Sequence, residues 1–297
     1  KHNNYTRPAV YTEGAINIKE GRHAIVEKLL KDETFVPNDT YVDDHESRIM
    51  LITGPNMAGK SIYMKQVALI AIMAQMGSFV PAAEASIGIV DKVFTRVGAS
   101  DDLSTGRSTF MVEMSEVTNI LQNATAQSLV LMDEIGRGTS TFDGLSIAWA
   151  IMEFLSQTLK AKVLFSTHYH ELTDLEGKLE GVKNYKLTVR ELNNSIVFLR
   201  KLMRGSANRS FGIEVAALAG LPHEVITRAK EILKYLEASD LGKNNTLNNN
   251  SQQLSLFASS GKTAEIVRIL HDLDIDAISP RGALDILADL KEKAEIE

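Results

Sequence analysis

Ile49-Met50-Leu51-Ile52-Thr53-Gly54-Pro55-Asn56-Met57-Ala58-Gly59-Lys60-Ser61 is an apolar run that ends in a glycine-bounded loop. From Gly54 to Ser61 it fits the pattern G-x-x-x-x-G-K-[ST]. The chemistry needs these residue types at this spacing. The glycines let successive backbone N–H groups turn inward on phosphate oxygens. A helix expected from Lys60 to about Met76 presents its positive end to the same anion. The Lys60 ammonium then reaches the β- and γ-phosphates, and the Ser61 hydroxyl ligates magnesium. A chance match in a turn is the competing reading. The apolar strand before the loop and the helical pattern after it decide against that. Gly54, Pro55, Asn56, Met57, Ala58, Gly59, Lys60 and Ser61 are therefore candidate nucleotide-binding residues, with ATP and Mg²⁺ as the expected cofactors.

Two further apolar runs end in polar residues suited to the same chemistry. Ser128 to Met132 leads into Asp133-Glu134. At the carboxyl edge of a parallel sheet, Asp133 would hold the magnesium shell and Glu134 would orient or deprotonate the attacking water. Val163 to Ser166 leads into Thr167-His168, which puts His168 within reach of the γ-phosphate or the water. His168 and His170 have no third ligand in the sequence pattern, so zinc is set aside.

Strands buried on both faces and separated by helices predict an α/β fold of the P-loop NTPase class, with a mostly parallel sheet flanked by helices. The expected division is 1–46 as the N-terminal edge of the ATPase domain and 47–205 as its core. Residues 206–238 follow as a helix-turn-helix element, broken at Gly220-Leu221-Pro222. Residues 239–262 are rich in Asn, Ser and Gln and read as a disordered linker. Residues 263–297 return to helical periodicity. Within 1–46 only turn signals and a short amphipathic stretch near Ala24–Leu30 stand out. Runs near Tyr185–Val189 and Ser195–Leu202 predict a hairpin about Asn193-Asn194.

The chain has 297 residues, 44% of them hydrophobic, and a net charge of −6. A free-standing DNA binder carries a basic footprint, so nucleic-acid contact is assigned to local patches or to parts outside this sequence. There is no cysteine, which excludes disulfides and thiolate metal sites and fits a reduced cytoplasm. No apolar run is long enough to span a membrane. The polar start lacks both a signal segment and an initiator Met, which reads as a piece of a longer chain.

Four segments resemble the MutS family of DNA mismatch repair ATPases, nearer its bacterial branch. They are Gly54–Ser61, Ser108-Thr109-Phe110-Met111-Val112-Glu113-Met114, Asp133-Glu134-Ile135-Gly136-Arg137-Gly138-Thr139-Ser140-Thr141 and Ser166-Thr167-His168-Tyr169-His170-Glu171-Leu172. The resemblance implies an ABC-type ATPase that works as a dimer, with the helix-turn-helix of 206–238 as a dimerisation element. In it, Ser108 reaches in trans to the γ-phosphate held by the other subunit. A hydroxyl opening a helix suits an anion, although an ordinary N-cap serine has the same sequence signature. The resemblance also places Thr139, Ser140 and Thr141 at the dimer seam, Asn56 beside the phosphates and Phe35 against adenine. It implies that mismatched DNA is read by regions N-terminal to this chain, that a MutL-type repair partner is engaged, and that the protein works at the nucleoid. Two positions depart from the family pattern. Ala58 stands where glycine is frequent, and Ile62 stands where a threonine is usual.

Gln253-Leu254-Ser255-Leu256-Phe257 resembles the peptide by which bacterial proteins dock on the replication sliding clamp. Gln253, Leu254, Leu256 and Phe257 are its candidate docking residues. Ile266, Ile269, Leu270 and Leu273 form one helical stripe, and Leu284, Leu287 and Leu290 part of another. Short helices cannot bury such faces alone, which predicts self-association as a dimer or larger oligomer. Three function classes fit: a dimeric repair ATPase, a recombination or DNA-structure relative with the same motor, and an interaction module switched by nucleotide with marginal turnover.

Overall fold

The computed structural model describes residues 3–30, 33–55, 57–98, 108–192, 195–206 and 211–244, with Arg281, Gly282 and Ile286 beyond them. From the N-terminus run β1 (Ala9–Tyr11), β2 (Ile16–Gly21), the short helix α1 (Val26–Leu29), β3 (Asn38–Val42) and β4 (Ile49–Thr53). Next come α2 (Lys60–Gln75), β5 (Glu84–Gly88), β6 (Val93–Arg96), α3 (Thr109–Asn123), β7 (Leu129–Asp133) and α4 (Thr141–Phe154). A π-helical stretch, Leu155–Leu159, extends α4. Then follow β8 (Lys162–Ser166), a 3-10 stretch over His170–Leu175, β9 (Val182–Leu192), β10 (Ser195–Arg204), α5 (Gly212–Leu218) and α6 (His223–Asn244). Two compact units are present, residues 1–231 and 232–297. The described part of the second is the end of α6 and a few helical residues from Arg281.

The fold is mixed α/β, with a six-stranded sheet in the order β10-β9-β4-β8-β7-β6. β4 runs parallel to β8 and β9, and β7 runs parallel to β6 and β8. β10 is antiparallel to β9, with Tyr185 opposite Arg204 and Leu192 opposite Ser195. The hairpin expected there is present; Asn193 and Asn194 themselves lie outside the described residues.

Side chains alternate across a strand, so each central strand feeds two cores. Met50 and Ile52 of β4, Leu129 and Leu131 of β7 and Leu164 of β8 pack in one cluster with Met64, Val67, Ile70 and Ala71 of α2. Ile49 and Leu51, Val130 and Met132, and Val163 and Phe165 pack on the other face. Val117 and Ile120 of α3 and Ala148, Ile151 and Met152 of α4 meet them there. The continuous apolar runs in the sequence follow from burial on both faces.

A second sheet has the order β1-β5-β2-β3; β1, β2 and β3 lie in the region that sequence patterning left as turns, and β5 comes from beyond α2. β2 pairs antiparallel with β3 and β5, and β1 pairs parallel with β5. The missing signal has a physical cause. Asn38 and Thr40 are polar residues at inward positions of β3, and both are buried. The Thr40 hydroxyl shares a 2.8 Å hydrogen bond with the Tyr63 hydroxyl. The Asn38 side chain donates to the Arg200 carbonyl at 2.9 Å and accepts from the Leu202 N–H at 2.7 Å. Satisfied polar groups replace the apolar alternation that would mark a strand.

Helix starts are set locally. Ser108 caps α3 and Ser140 caps α4, their hydroxyls accepting from the N–H groups of Met111 and Asp143. Ser140 thereby fixes the start of α4 at Thr141. No helix of the described residues is long and apolar enough to cross a membrane. Asn56, the 253–257 peptide and the apolar stripes of 263–297 lie outside the described residues, apart from the isolated positions named above.

Candidate functional site

The parallel register brings the loop and the acids to one edge of the sheet. Ile52 is level with Ser166, and Ser166 is level with Asp133. The chain leaves β4 at Thr53, turns through the glycine loop and enters α2 at Lys60. Gly59 makes that entry with φ +103°, a left-handed angle that L side chains rarely adopt.

Lys60 is only 4% exposed. Its Nζ donates to the carbonyls of Gly54 at 2.8 Å and Pro55 at 3.3 Å. The same atom lies 3.3 Å from His168 Nε2 and 3.4 Å from Glu134 Oε1. Burial lowers the Lys60 pKa, and the carboxylates of Glu134 and Asp133 partly restore it.

Asp133 accepts hydrogen bonds from the hydroxyls of Ser61 and Ser166. Glu134 accepts from His168 and pairs with Arg137. Burial opposes ionisation of the Glu134 carboxyl. The hydrogen bond and charge of His168 outweigh it, with Lys60 and Arg137 adding to them, and hold the pKa at about 2. The Glu134 backbone has φ +57°, and its N–H donates to the Ser166 carbonyl at 3.0 Å. A non-glycine residue at that angle costs on the order of 1 kcal/mol.

The loop after Glu134 is held from three sides. The Gly136 N–H donates to Glu113 Oε1 of α3 at 2.6 Å, and the Tyr169 hydroxyl donates to the Gly136 carbonyl at 2.9 Å. On the third side Gly144 of α4 meets the Gly136 backbone. A Cβ added to Gly144 would stand 2.2 Å from the Tyr169 hydroxyl and 2.3 Å from the Gly136 carbonyl oxygen. Gly144→Ala is therefore expected to destabilise the protein by about 1–3 kcal/mol. Gly212→Ala meets nothing within 4 Å and serves as the neutral control. Denaturant midpoints of the two variants check this, and equal midpoints would refute the close approach.

Two clefts open beside the cluster. One, of about 210 Å³, is lined by Phe35, Ile62, Gln66 and Leu187 together with Met57, Ala58 and Gly59 of the glycine loop. The other, also about 210 Å³, is lined by Glu134, Arg137, Thr139, Thr141, His168 and Tyr169. Phe35 thus shares a cleft with the loop, and Thr139 and Thr141 share one with Glu134 and His168. Ser140 and Ser108 are engaged at the starts of their own helices.

Sequence reasoning gave no role to Arg137, Ser166, Glu113, Tyr169 or Gln66. Only Ser166 had a usable signal, since it ends a parallel strand level with Asp133. The others acquire their contacts through tertiary packing.

A hydroxyl and a carboxylate are hard oxygen donors of the kind magnesium takes in small number, with water and phosphate completing the shell. Among the described residues no group of three or more His, Cys, Asp or Glu stands together as a metal cluster. Ser61 and Asp133 fit that sparse mode of binding.

The family model described as MutS domain V matches residues 50–237, and that described as DNA mismatch repair protein MutS C-terminal region matches residues 262–293. The chain is 56% identical over 300 residues to a DNA mismatch repair protein MutS of Caldicellulosiruptor saccharolyticus, covering 98% of this chain and 34% of that protein. It is 55% identical over 299 residues to one of Acetivibrio thermocellus, with the same coverage of both. Against one of Lachnoclostridium phytofermentans it is 61% identical over 245 residues, covering 82% of this chain and 26% of that protein. The chain spans about a third of the length of the first two relatives. The match of residues 50–237 together with identity along nearly the whole chain means that it belongs to the MutS family.

Proposed function

We propose that this chain binds and hydrolyses Mg-ATP as a P-loop, ABC-type ATPase, at a site completed by a second copy, and so drives the conformational cycle of DNA mismatch repair. The observation that carries the reading is the convergence of Lys60, Ser61, Asp133, Glu134 and His168 at one sheet edge. In this reading Lys60 and the loop N–H groups of Gly54–Ser61 grip the phosphates. Ser61 and Asp133 hold magnesium, which supplies charge neutralisation to the phosphate oxygens. Glu134 orients the attacking water and accepts its proton, and His168 fixes the Glu134 carboxylate. Phe35 stacks on the base.

Exposed apolar side chains around the site support completion in trans. Met57 is 76% exposed, Met111 at the start of α3 is 56% and Phe142 at the start of α4 is 43%. Exposed apolar side chains beside a polar cluster suit a partner surface. Ser108 then contributes from the second copy, and Thr139, Ser140 and Thr141 line the seam. Residues 206–238 and 263–297 are proposed to support dimer or tetramer contacts; α6 runs on to Asn244, so the linker is proposed as the part of 239–262 that follows it, with the 253–257 peptide docking on the sliding clamp. Mismatched DNA and a MutL-type partner are engaged by the longer protein, at the nucleoid. A second reading, an ATP-switched module with slow turnover, is favoured by Ile62, which lines the cleft beside Gly59. Steady-state hydrolysis by the unmodified chain separates the two.

The test is the molar mass of the Glu134→Gln variant by light scattering, with and without Mg-ATP. A rise in mass on adding Mg-ATP is expected, because a closed state accumulates when hydrolysis is blocked. A protein that binds ATP and stays monomeric would overturn the shared site.

A further inference from the structure

Of the contacts that hold the loop after Glu134, the one from Glu113 comes from α3, the helix that Ser108 opens. Glu113 is 7% exposed, and its Oε1 accepts from the Gly136 N–H at 2.6 Å. Its Oε2 lies 3.7 Å from Nη2 of Arg96, the last residue of β6. A carboxylate paired with a cation and accepting a short N–H bond makes a strong tie. A second tie lies about one turn earlier on α3. A Cβ added to Gly138 would stand 2.9 Å from Phe110 Cβ, so helix and loop meet there without slack.

Contacts packed this closely pass a displacement on, because a protein interior compresses little. Ser108 lies five residues before Glu113, which is about 7–8 Å along a helix axis. It is exposed at the start of α3, whereas Glu113 is buried against the loop. Glu134 has φ +57° and Gly136 follows at φ +92°, so the direction of the carboxylate depends on how this turn is held. One helix therefore joins an exposed serine to a buried carboxylate that fixes the turn carrying Glu134.

We propose that Glu113 is a positioning residue that makes hydrolysis at one site depend on ATP at the other. This rests on the shared-site reading above and adds the regulation of that site. A γ-phosphate in the partner's site, gripped by Ser108, fixes the placement of α3. Glu113 and Phe110 pass that placement to the turn after Glu134, and so to the carboxylate that orients water in the chain's own site. Glu113 acts through the Gly136 N–H and not by touching nucleotide.

The test is a double-variant cycle on the full chain. Turnover is read by phosphate release, and affinity by calorimetric titration with a non-hydrolysable ATP analogue. Glu113→Met keeps an apolar stem and removes the acceptor, whereas Glu113→Gln keeps an acceptor for the Gly136 N–H. Glu113→Met is expected to lower turnover by roughly ten- to a hundredfold, the scale of one lost hydrogen bond to a charged group, with affinity unchanged. Glu113→Gln is expected to recover most of that loss. Ser108→Ala is expected to slow the parent. Its added loss in the Glu113→Met background should be smaller by roughly threefold or more, because linked groups do not act additively. Glu113→Ala carries the same expectations and covers failure of the methionine variant to fold. Three results overturn the coupling and leave the nucleotide site standing: losses that multiply independently, affinity lost in step with turnover, or a glutamine variant as slow as the methionine one. If Ser108→Ala leaves the parent's turnover unchanged, or the parent does not bind the analogue, the shared-site reading itself falls and takes this inference with it.

Discussion

Glu134→Gln is expected to lower steady-state ATP hydrolysis by about 10²–10⁴-fold, the usual contribution of a positioned base, while ATP affinity changes little. The amide keeps the shape and one acceptor of the carboxylate but accepts no proton. Phosphate release measured beside nucleotide titration checks both halves. Retained turnover would remove Glu134 from the chemistry. The same variant has a stability signature. The Glu134 carboxyl is lowered from 4.5 to about 2, with burial opposing its charge and His168, Lys60 and Arg137 favouring it. A carboxylate lowered in the folded state stabilises that state above its unfolded pKa and loses the effect as pH falls through the folded one. The gap in melting temperature between parent and Glu134→Gln is therefore full above pH 4.5 and narrows as the pH drops towards 2.

Lys60→Met is expected to weaken ATP binding by about 10²–10⁴-fold, from the loss of two charge-assisted hydrogen bonds at about 1.5–3 kcal/mol each. The methionine retains the apolar stem and removes only the ammonium and its reach. Without nucleotide the variant should be no less stable than the parent. Burial lowers the Lys60 pKa, so the folded state disfavours its charge overall. Calorimetric titration and thermal melts give the two readouts. Normal ATP affinity in Lys60→Met would mean that the ammonium does not serve the phosphates.

The centre of the site was legible because its signals are local. Ile49–Ser61 carries strand, loop and helix start in one stretch, and Asp133-Glu134 ends a strand buried on both faces. The rest of the arrangement depends on what folding brings together. β1 to β3 are short, and Asn38 and Thr40 occupy inward positions because partners distant in sequence satisfy them. Glu113 lies 23 residues before the N–H that it accepts from. Gln66 reads in sequence as one more polar residue on a helix. Only the packing of α2 against the second sheet buries it, close enough that a Cβ on Gly21 would meet its Nε2 at 2.8 Å.

The left-handed backbone at Glu134 sets two selective pressures against each other at one position. Glycine would relieve the conformational strain, and asparagine tolerates the angle better than glutamate does. Neither places a carboxylate where Lys60, His168 and Arg137 meet. Only at a pH low enough to protonate that carboxylate would a laboratory selection for heat resistance alone be free to trade this residue away, whereas a selection that also demands turnover would hold it. Position 134 is where an engineer hardening this domain against acid should expect robustness and work output to diverge.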